Sequence, residues 1–442
     1  MVVGFLFATL AYAIVIGFVT NSFLWVHEAP LSLLLIIPLF LFINFAAGFL
    51  LIPANSKRLR FCYHGTLLLC GFYLSTLFST IYQIVLAFYK IPGHWILYIA
   101  GLIYCFLIHF IIFWNSILCL YTTSVQLGIK HRVVGALFGW IPGVNLVILV
   151  FITKIVIAEC IFETKKENLN KSRRDQKICA TKYPLLMVHG FFFRDSRLLN
   201  YWGRIPKELT LNGATIFYGN HGSAAPVPDS AQEIAARIEQ ILQETGCEKV
   251  NIIAHSKGGL DCRYVLSELG MADKIASLTT INTPHGGCLY ANHLLTKTPA
   301  FFRNRFAKTY NAALRKVGEA NVDFLRAAED LTDTSCKALN EQLHTPEGVF
   351  CQSVGSVMKR ASGGKFPLNV SYYLVKHFDG ENDGLVSEPS FHWGEQYTLL
   401  RPKGRRGISH GDVVDLNRQN IKGFDVREFY VQLVKDLKDR GL

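Results

Sequence analysis

The stretch Lys249-Val250-Asn251-Ile252-Ile253-Ala254-His255-Ser256-Lys257-Gly258-Gly259 decides how this chain is read. A short apolar run, residues 250–254, reads as a buried strand and stops at a serine with small neighbours. An amphipathic helix follows. Leu260, Tyr264, Val265 and Leu269 fall at helical spacing, and Gly270 sits where a C-terminal cap belongs. Strand, sharp turn and helix with Ser at the apex form the nucleophile elbow, usually written G-x-S-x-G. Positions two before and two after the serine must be small, because the turn brings strand and helix backbones close. Ala254 meets that demand in place of the first glycine. The bland alternative is a serine in an ordinary strand–helix turn, so the choice turns on partners elsewhere in the chain.

Upstream, residues 184–188 read as a second buried strand, ending in His189-Gly190-Phe191-Phe192-Phe193. An HG turn after an early strand supplies one oxyanion-hole N–H beside an elbow of this kind; the residue after the nucleophile supplies the other. Backbone donors suit the task because they are in place before charge develops on the attacked carbonyl oxygen. Phe191 and Lys257 are therefore the expected donors, and Phe192 and Phe193 are expected to line an acyl-chain pocket. Residues 198–211 look helical, 214–218 read as a strand, and 229–245 as a helix with Ile234, Ile238, Ile241 and Leu242 on one face. Residues 275–281 are the next strand, and 288–346 a strandless helical insertion, either a lid over the site or a fixed subdomain. Residues 349–354 and 372–375 resume the strands. This alternation predicts a mostly parallel, doubly wound sheet.

Downstream lie the partners. Asp379-Gly380-Glu381-Asn382-Asp383-Gly384-Leu385-Val386 follows the last expected strand, and Gly407-Ile408-Ser409-His410-Gly411-Asp412 precedes a final helix at 424–438. Ser, then acid, then His is the chain order that an elbow serine requires. Asp383, in a turn, is the better acid and Asp379 the alternative. His410, in the last loop, is the better base than His377 or His392. His410 would take the Ser256 proton while Asp383 orients the imidazole, giving an acyl-enzyme that water then cleaves.

With these pieces in view, residues 183 to about 440 resemble the secreted bacterial triacylglycerol lipases of family I. The resemblance rests on V-H-G at 188–190, Y-W-G-R-I-P at 201–206, K-V-N-I-I-A-H-S-K-G-G-L at 249–260 and R-Y-V at 263–265. T-P-H-G-G at 283–287, N-D-G-L-V at 382–386 and S-H-G-D at 409–412 complete it. It implies the α/β-hydrolase fold, Ser256, Asp383 and His410 as the triad, Phe191 and Lys257 as oxyanion donors, and lipid esters as substrates. It also implies a structural calcium with Asp412 as one ligand. The family's second calcium aspartate has no counterpart, since no Asp lies between Asp333 and Asp379. A cysteine that the family pairs just after N-D-G-L-V is missing too. No other cofactor is expected.

The first 160 residues lie outside that resemblance. The chain is 50% hydrophobic with a mean hydropathy of +0.26, an excess concentrated before residue 160. Residues 2–25, 31–53, 65–89 and 95–121 are each long enough to cross a bilayer. A fifth stretch, 133–158, is broken by Pro142-Gly143 and reads as a kinked span or a hairpin dipping into one leaflet. Four spans plus such a hairpin place the basic clusters at 57–60, 130–132 and 165–177 on one side, with residues 183–442 on the cytoplasmic face. Residues 160–182 read as a polar linker. The net charge of +12 flanks apolar segments and so points to a membrane surface, with no nucleic-acid motif. Eleven cysteines without a C-x-x-C pair read as free thiols. His109 and Asn115, inside the fourth span, are either a polar site or links between helices.

The expected whole is a membrane-anchored serine ester hydrolase acting on lipids of the bilayer. An acyltransferase or thioesterase using the same triad is the nearest alternative. A transporter or scaffold with an inert hydrolase domain is the alternative of another class.

Overall fold

The computed structural model describes residues 2–50, 54–141, 143–191, 200–316 and 322–442, and divides into two compact units, Met1–Ser172 and Arg173–Leu442. The first unit is helical: α1 Val2–Thr20, α2 Phe23–Glu28, α3 Leu33–Leu41, α4 Ala47–Leu50, α5 Lys57–Thr123, α6 Gly128–Phe138 and α7 Val144–Arg173. His94 leaves the helical region (φ −140°, ψ 40°) and breaks α5 in two. Among the described residues, four helical lengths are long and apolar enough to cross a membrane: Val3–Thr20, Lys57–Tyr89, Gly93–Thr123 and Val144–Gln176.

Three of these fall on expected segments, and the other takes in the second half of the fifth stretch in place of the segment at 31–53. The second expected segment, at 31–53, is helical over its described residues but irregular and short: α3 carries Pro38, and residues 42–46 widen into a π-helical turn before α4. Proline removes a helical N–H and clashes with the preceding turn. The fifth stretch, 133–158, is interrupted between α6 and α7, where Pro142-Gly143 falls, and its second half opens α7, which is by itself long and apolar enough to cross a membrane. The expected linker at 160–182 is helical as far as Arg173, since Lys, Glu and Asn extend a helix already begun by an apolar run. Were α7 to cross a bilayer, the basic residues at 130–132 and those from Lys165 onward would fall on opposite sides. The loop charges would then no longer select a cytoplasmic second unit.

Polar groups inside this unit are paired between helices. Asn115 donates to the Asn44 carbonyl and side-chain oxygens, both at 2.7 Å, and His109 Nε2 lies 3.2 Å from Ser75 Oγ. The Glu159 carboxylate accepts from Arg58, from Ser124 Oγ, and from the N–H groups of Val125 and Gln126.

In the second unit, six parallel strands lie in the order β2-β1-β3-β4-β5-β6: β1 Leu185–Val188, β2 Ile216–Tyr218, β3 Val250–His255, β4 Ile275–Ile281, β5 Phe350–Ser356 and β6 Gln396–Leu400. The chain reverses direction across the sheet between β1 and β3, and an open α/β sheet places its site at such strand ends. The helices are α8 Ile205–Leu211, α9 Val227–Thr245, α10 Lys257–Ser267, α11 Leu289–Lys297, α12 Ala300–Lys316, α13 Phe324–Glu329, α14 Asp333–Gln342, α15 Leu368–Asp379 and α16 Val426–Asp439. Strands β3 and β4 are buried at every residue, which explains their nearly continuous apolar runs. On one face, Ile234, Ile238 and Ile241 of α9 pack with Leu186, Ile252 and Leu278. Full burial is worth about 2 kcal/mol for each isoleucine. On the other, Trp202 and α16 (Tyr430, Val431, Val434) pack with Met187 and Ile253.

The strand expected at 372–375 is part of helix α15. Its buried residues, Tyr372 and Val375, are three apart, while Val370 and Tyr373 are exposed. That is helical spacing, disguised by a run of β-branched and aromatic types. The sixth strand is β6, a half-exposed edge strand with too little apolar patterning to stand out. The helix expected from 198 begins at Ile205.

Candidate active site

The elbow holds a strained backbone. Ser256 has φ +55° and ψ −131°, a conformation that costs a non-glycine residue about 1–3 kcal/mol. Its N–H donates to Ile281 O at 2.9 Å, and its carbonyl accepts from Gly259 N at 3.0 Å. Sheet and helix therefore clamp it from both sides. A Cβ on Gly258 would lie 2.3 Å from the His189 carbonyl oxygen, and one on Gly190 would lie 2.7 Å from Ser256 Cβ. The position two beyond the serine is small because the HG turn, more than β3, crowds it. The same contacts bring His189 and Gly190 against Ser256. Lys257 opens α10, so its N–H has no partner within the helix. Its side chain turns away, and the ammonium is buried 2.6 Å from Asp261 and 3.1 Å from Ser230 Oγ.

Asp383 and His410 meet. His410 Nδ1 lies 2.6 Å from Asp383 Oδ2, and the His410 N–H donates to the Asp383 carbonyl at 2.9 Å. The aspartate is fully buried, and its other contacts are all donors. Oδ1 accepts from the N–H groups of Leu385 (2.9 Å) and Val386 (2.8 Å), and Oδ2 accepts from Asn282 Nδ2 at 2.6 Å. Such a shell fixes the orientation of the carboxylate. Asn382 shapes the turn by accepting from Gly384 N and donating to Gly380 O. The His410 ring lies on that of His255, with centroids 4.5 Å apart, which puts it beside the elbow. No hydrogen bond joins the Ser256 hydroxyl to His410 among the described residues.

The alternatives lie elsewhere. Asp379 accepts from the N–H groups of Leu289 and Tyr290, holding the start of α11, and its half-buried carboxyl is pushed up by desolvation. His377 is in the last turn of α15, and His392 packs on Tyr397. Phe191 packs on Phe324 of α13, at 5.4 Å between centroids, while Phe306 of α12 abuts the same ring. Phe192 and Phe193 lie outside the described residues.

Sequence reasoning overlooked three supporting groups. Asn282, at φ +48° just beyond β4, ties Asp383 to Ser356. The Tyr201 hydroxyl accepts from Gly190 N at 3.2 Å and lies 2.5 Å from His255 Nδ1, joining the HG turn to the elbow strand. Burial, with His410 adding to it, holds the His255 imidazole well below its ordinary pKa and therefore neutral. Arg204 grips Asp415 through Nε and Nη2, both at 2.8 Å, fixing the loop that carries His410. Asn282 ends a strand and Arg204 stands in Y-W-G-R-I-P, but neither type announces its partner.

Asp412 does not fit a calcium ion. Its Oδ1 accepts from Arg406 at 3.0 Å, and its Oδ2 accepts from Ser409 N and Oγ at 3.0 and 2.7 Å. Calcium needs several oxygen ligands. Here the carboxylate is surrounded by donors, a guanidinium among them, and no acidic group joins it among the described residues.

Residues 183–384 match the alpha/beta hydrolase fold family. The triacylglycerol lipase of Pseudarthrobacter phenanthrenivorans is 36% identical, over 55% of this chain and 96% of its own length. The chain belongs to the lipase-type α/β-hydrolases. A triacylglycerol lipase of Vibrio cholerae is 27% identical to this lipase-type chain, over 60% of it and 91% of the relative. The mature form of the Bacillus licheniformis lipase BlEst2 is similar at 20% identity, covering 58% of this chain and 92% of that one, with a TM-score of 0.42.

Proposed function

We propose that the protein is a membrane-anchored serine hydrolase cleaving carboxylic esters of lipids through an acyl-enzyme. The observation that carries this reading is the buried Asp383–His410 pair lying against the residue that precedes an elbow serine. In this reading His410 Nε2 takes the Ser256 Oγ proton as Oγ attacks the ester carbonyl carbon. The Phe191 and Lys257 N–H groups receive the oxyanion. The intermediate collapses, the C–O bond to the alcohol breaks, and the alcohol leaves with the proton held by His410. Water then attacks the acyl-enzyme by the same route. Phe191, Phe306 and Phe324 suit an acyl chain, and the apolar helices of the first unit suit membrane attachment.

The deciding experiment measures ester hydrolysis by the full-length protein in detergent, with p-nitrophenyl esters of short and long acyl chains. Activity is expected with the wild type and is expected to vanish in Ser256→Ala. Retention of activity by that variant would remove the serine mechanism.

A further inference from the structure

The loops that leave β5 and β6 are basic and are stitched together. Lys359 N donates to Arg406 O at 3.1 Å, Lys359 Nζ to Pro402 O at 3.1 Å, and Arg360 Nε to Arg405 O at 2.8 Å. A third segment joins them, since a Cβ on Gly423 would lie 2.8 Å from the Lys403 carbonyl oxygen. Stretches distant in the chain thus bring Lys359, Arg360, Lys365, Lys403, Arg405 and Lys422 to one surface, all of them exposed. The neighbouring carboxylates are engaged: Glu381 pairs with Arg401, and Asp412 with Arg406. Among the described residues, none of the exposed cations just named pairs with a carboxylate. Like charges gathered in this way repel one another. A polyanionic partner turns that repulsion into attraction.

Position and neighbours say which polyanion. The strands are all parallel, so the loops after β5 and β6 lie on the sheet edge where Ser256 follows β3. Ile408 N donates to Val357 O, and Met358 N to Asn382 O, tying the basic loops to the His410 loop and the Asp383 turn. Apolar side chains stand beside the cations. Phe366 is 82% exposed directly after Lys365, and Val370 and Tyr373 are exposed on the outer side of α15. Cations mixed with such groups suit a bilayer surface, where charge meets headgroups and apolar side chains enter the acyl boundary. A nucleic-acid backbone would use the charge and leave Phe366 and Val370 in water. Among the described residues the same chain carries four helices long and apolar enough to cross a membrane, and the anchoring proposed above makes a bilayer the polyanion at hand.

We propose that this surface docks on the anionic headgroups of a lipid bilayer, presenting the nucleophile edge of the sheet to the lipids there. The docking surface lies wholly within Arg173–Leu442 and needs no turnover. Failure of the ester assay would leave it standing.

The test uses the full-length Ser256→Ala protein, so that no lipid is cleaved, with nanodiscs of phosphatidylcholine or of phosphatidylglycerol. Hydrogen–deuterium exchange is the readout. Peptides covering 357–366 and 401–406 are expected to exchange at least about fivefold more slowly with phosphatidylglycerol. The difference should vanish in about 1 M salt, where the Debye length is about 3 Å. Lys403→Gln combined with Arg405→Gln should weaken docking roughly 25-fold, at about fivefold for each cation, and erase the protection. Phe366→Ser should reduce it. Protein that elutes apart from phosphatidylcholine discs would undo the anchoring, while protection on added phosphatidylglycerol discs would still report docking. Equal exchange with both lipids, protection unchanged in the double variant, or protection by a single-stranded oligonucleotide and not by phosphatidylglycerol would overturn the proposal.

Discussion

A serine at φ +55° imposes a cost that glycine would not. Ser256→Gly is therefore expected to raise stability by about 1 kcal/mol while abolishing hydrolysis. A higher urea midpoint together with lost fluorophosphonate labelling would show both. The opposite pairing, a less stable variant, would mean that the turn is not strained in solution. Asp383 and Asn282 separate chemistry from support. Asp383→Asn removes the charge that orients and balances His410 and is expected to lower kcat about 10⁴-fold. Asn282→Ala removes one of four donors and leaves the carboxylate in place, so a drop of about tenfold in kcat with little change in KM is expected from steady-state kinetics. At this scale Ser256 was legible because its neighbours form a pattern. Asn282 was not, because its value lies in an oxygen 101 positions away in the chain.

Among elements, the elbow, the HG turn and the His410 loop act as a single scaffold. Gly258 touches no substrate, yet a methyl group there would collide with the His189 carbonyl. Gly258→Ala is expected to lose at least about 2 kcal/mol of stability and most of its activity, read from urea titration and turnover. If both stay near wild type, the HG turn yields more readily than its packing suggests. Strands β1, β3 and β4 were readable because burial on both faces makes them apolar throughout. The run at 372–375 misled because β-branched and aromatic residues fit a strand or the buried stripe of a helix, and packing chose the helix. Edge strand β6, half-exposed, had no such signal. The irregularity of the second apolar segment had one sign in Pro38, but the π-turn at 42–46 had none.

Across the whole molecule, buried titrating groups set the response to pH. Burial holds the His255 and His285 imidazoles well below their ordinary pKa. The unfolded chain protonates them near 6.5, so it binds more protons than the folded chain there, and stability falls as pH drops below that point. Asp261 works the other way. Desolvation pushes its carboxyl up to about 7, with Asp330 and Glu233 adding to the push against the pull of Lys257. Folded chains keep a proton that unfolded chains release near 4, so this group removes stability as pH rises from about 4 to 7. The two imidazoles outweigh the Asp261 carboxyl, so a net loss of stability remains on acidification from 6.5, offset in part by the raised Asp379 carboxyl. Urea midpoints for loss of hydrolysis, taken from pH 5 to 8, should show that loss, and Asp261→Asn should steepen it. An unchanged slope would mean that Asp261 is ionised throughout. Every cysteine is free among the described residues. A reporter fused after Leu442 is expected to fluoresce as green fluorescent protein and to be silent as alkaline phosphatase. The reverse would put the second unit outside.

What the sequence alone determined was local and ordered: an apolar run ending at a serine between small residues, the succession of Ser, Asp and His, and an apolar first part of bilayer-spanning length. Such features depend on residues adjacent in the chain or on their order along it. Tertiary structure decided what depends on distant meetings. It gave His410 to Asp383 and Asp379 to the start of α11, committed Asp412 to Arg406, and carried the second half of the fifth apolar stretch on into the long helix α7. Each is a matter of which donor reaches which acceptor, or which face finds a partner, and only the folded chain brings those groups together.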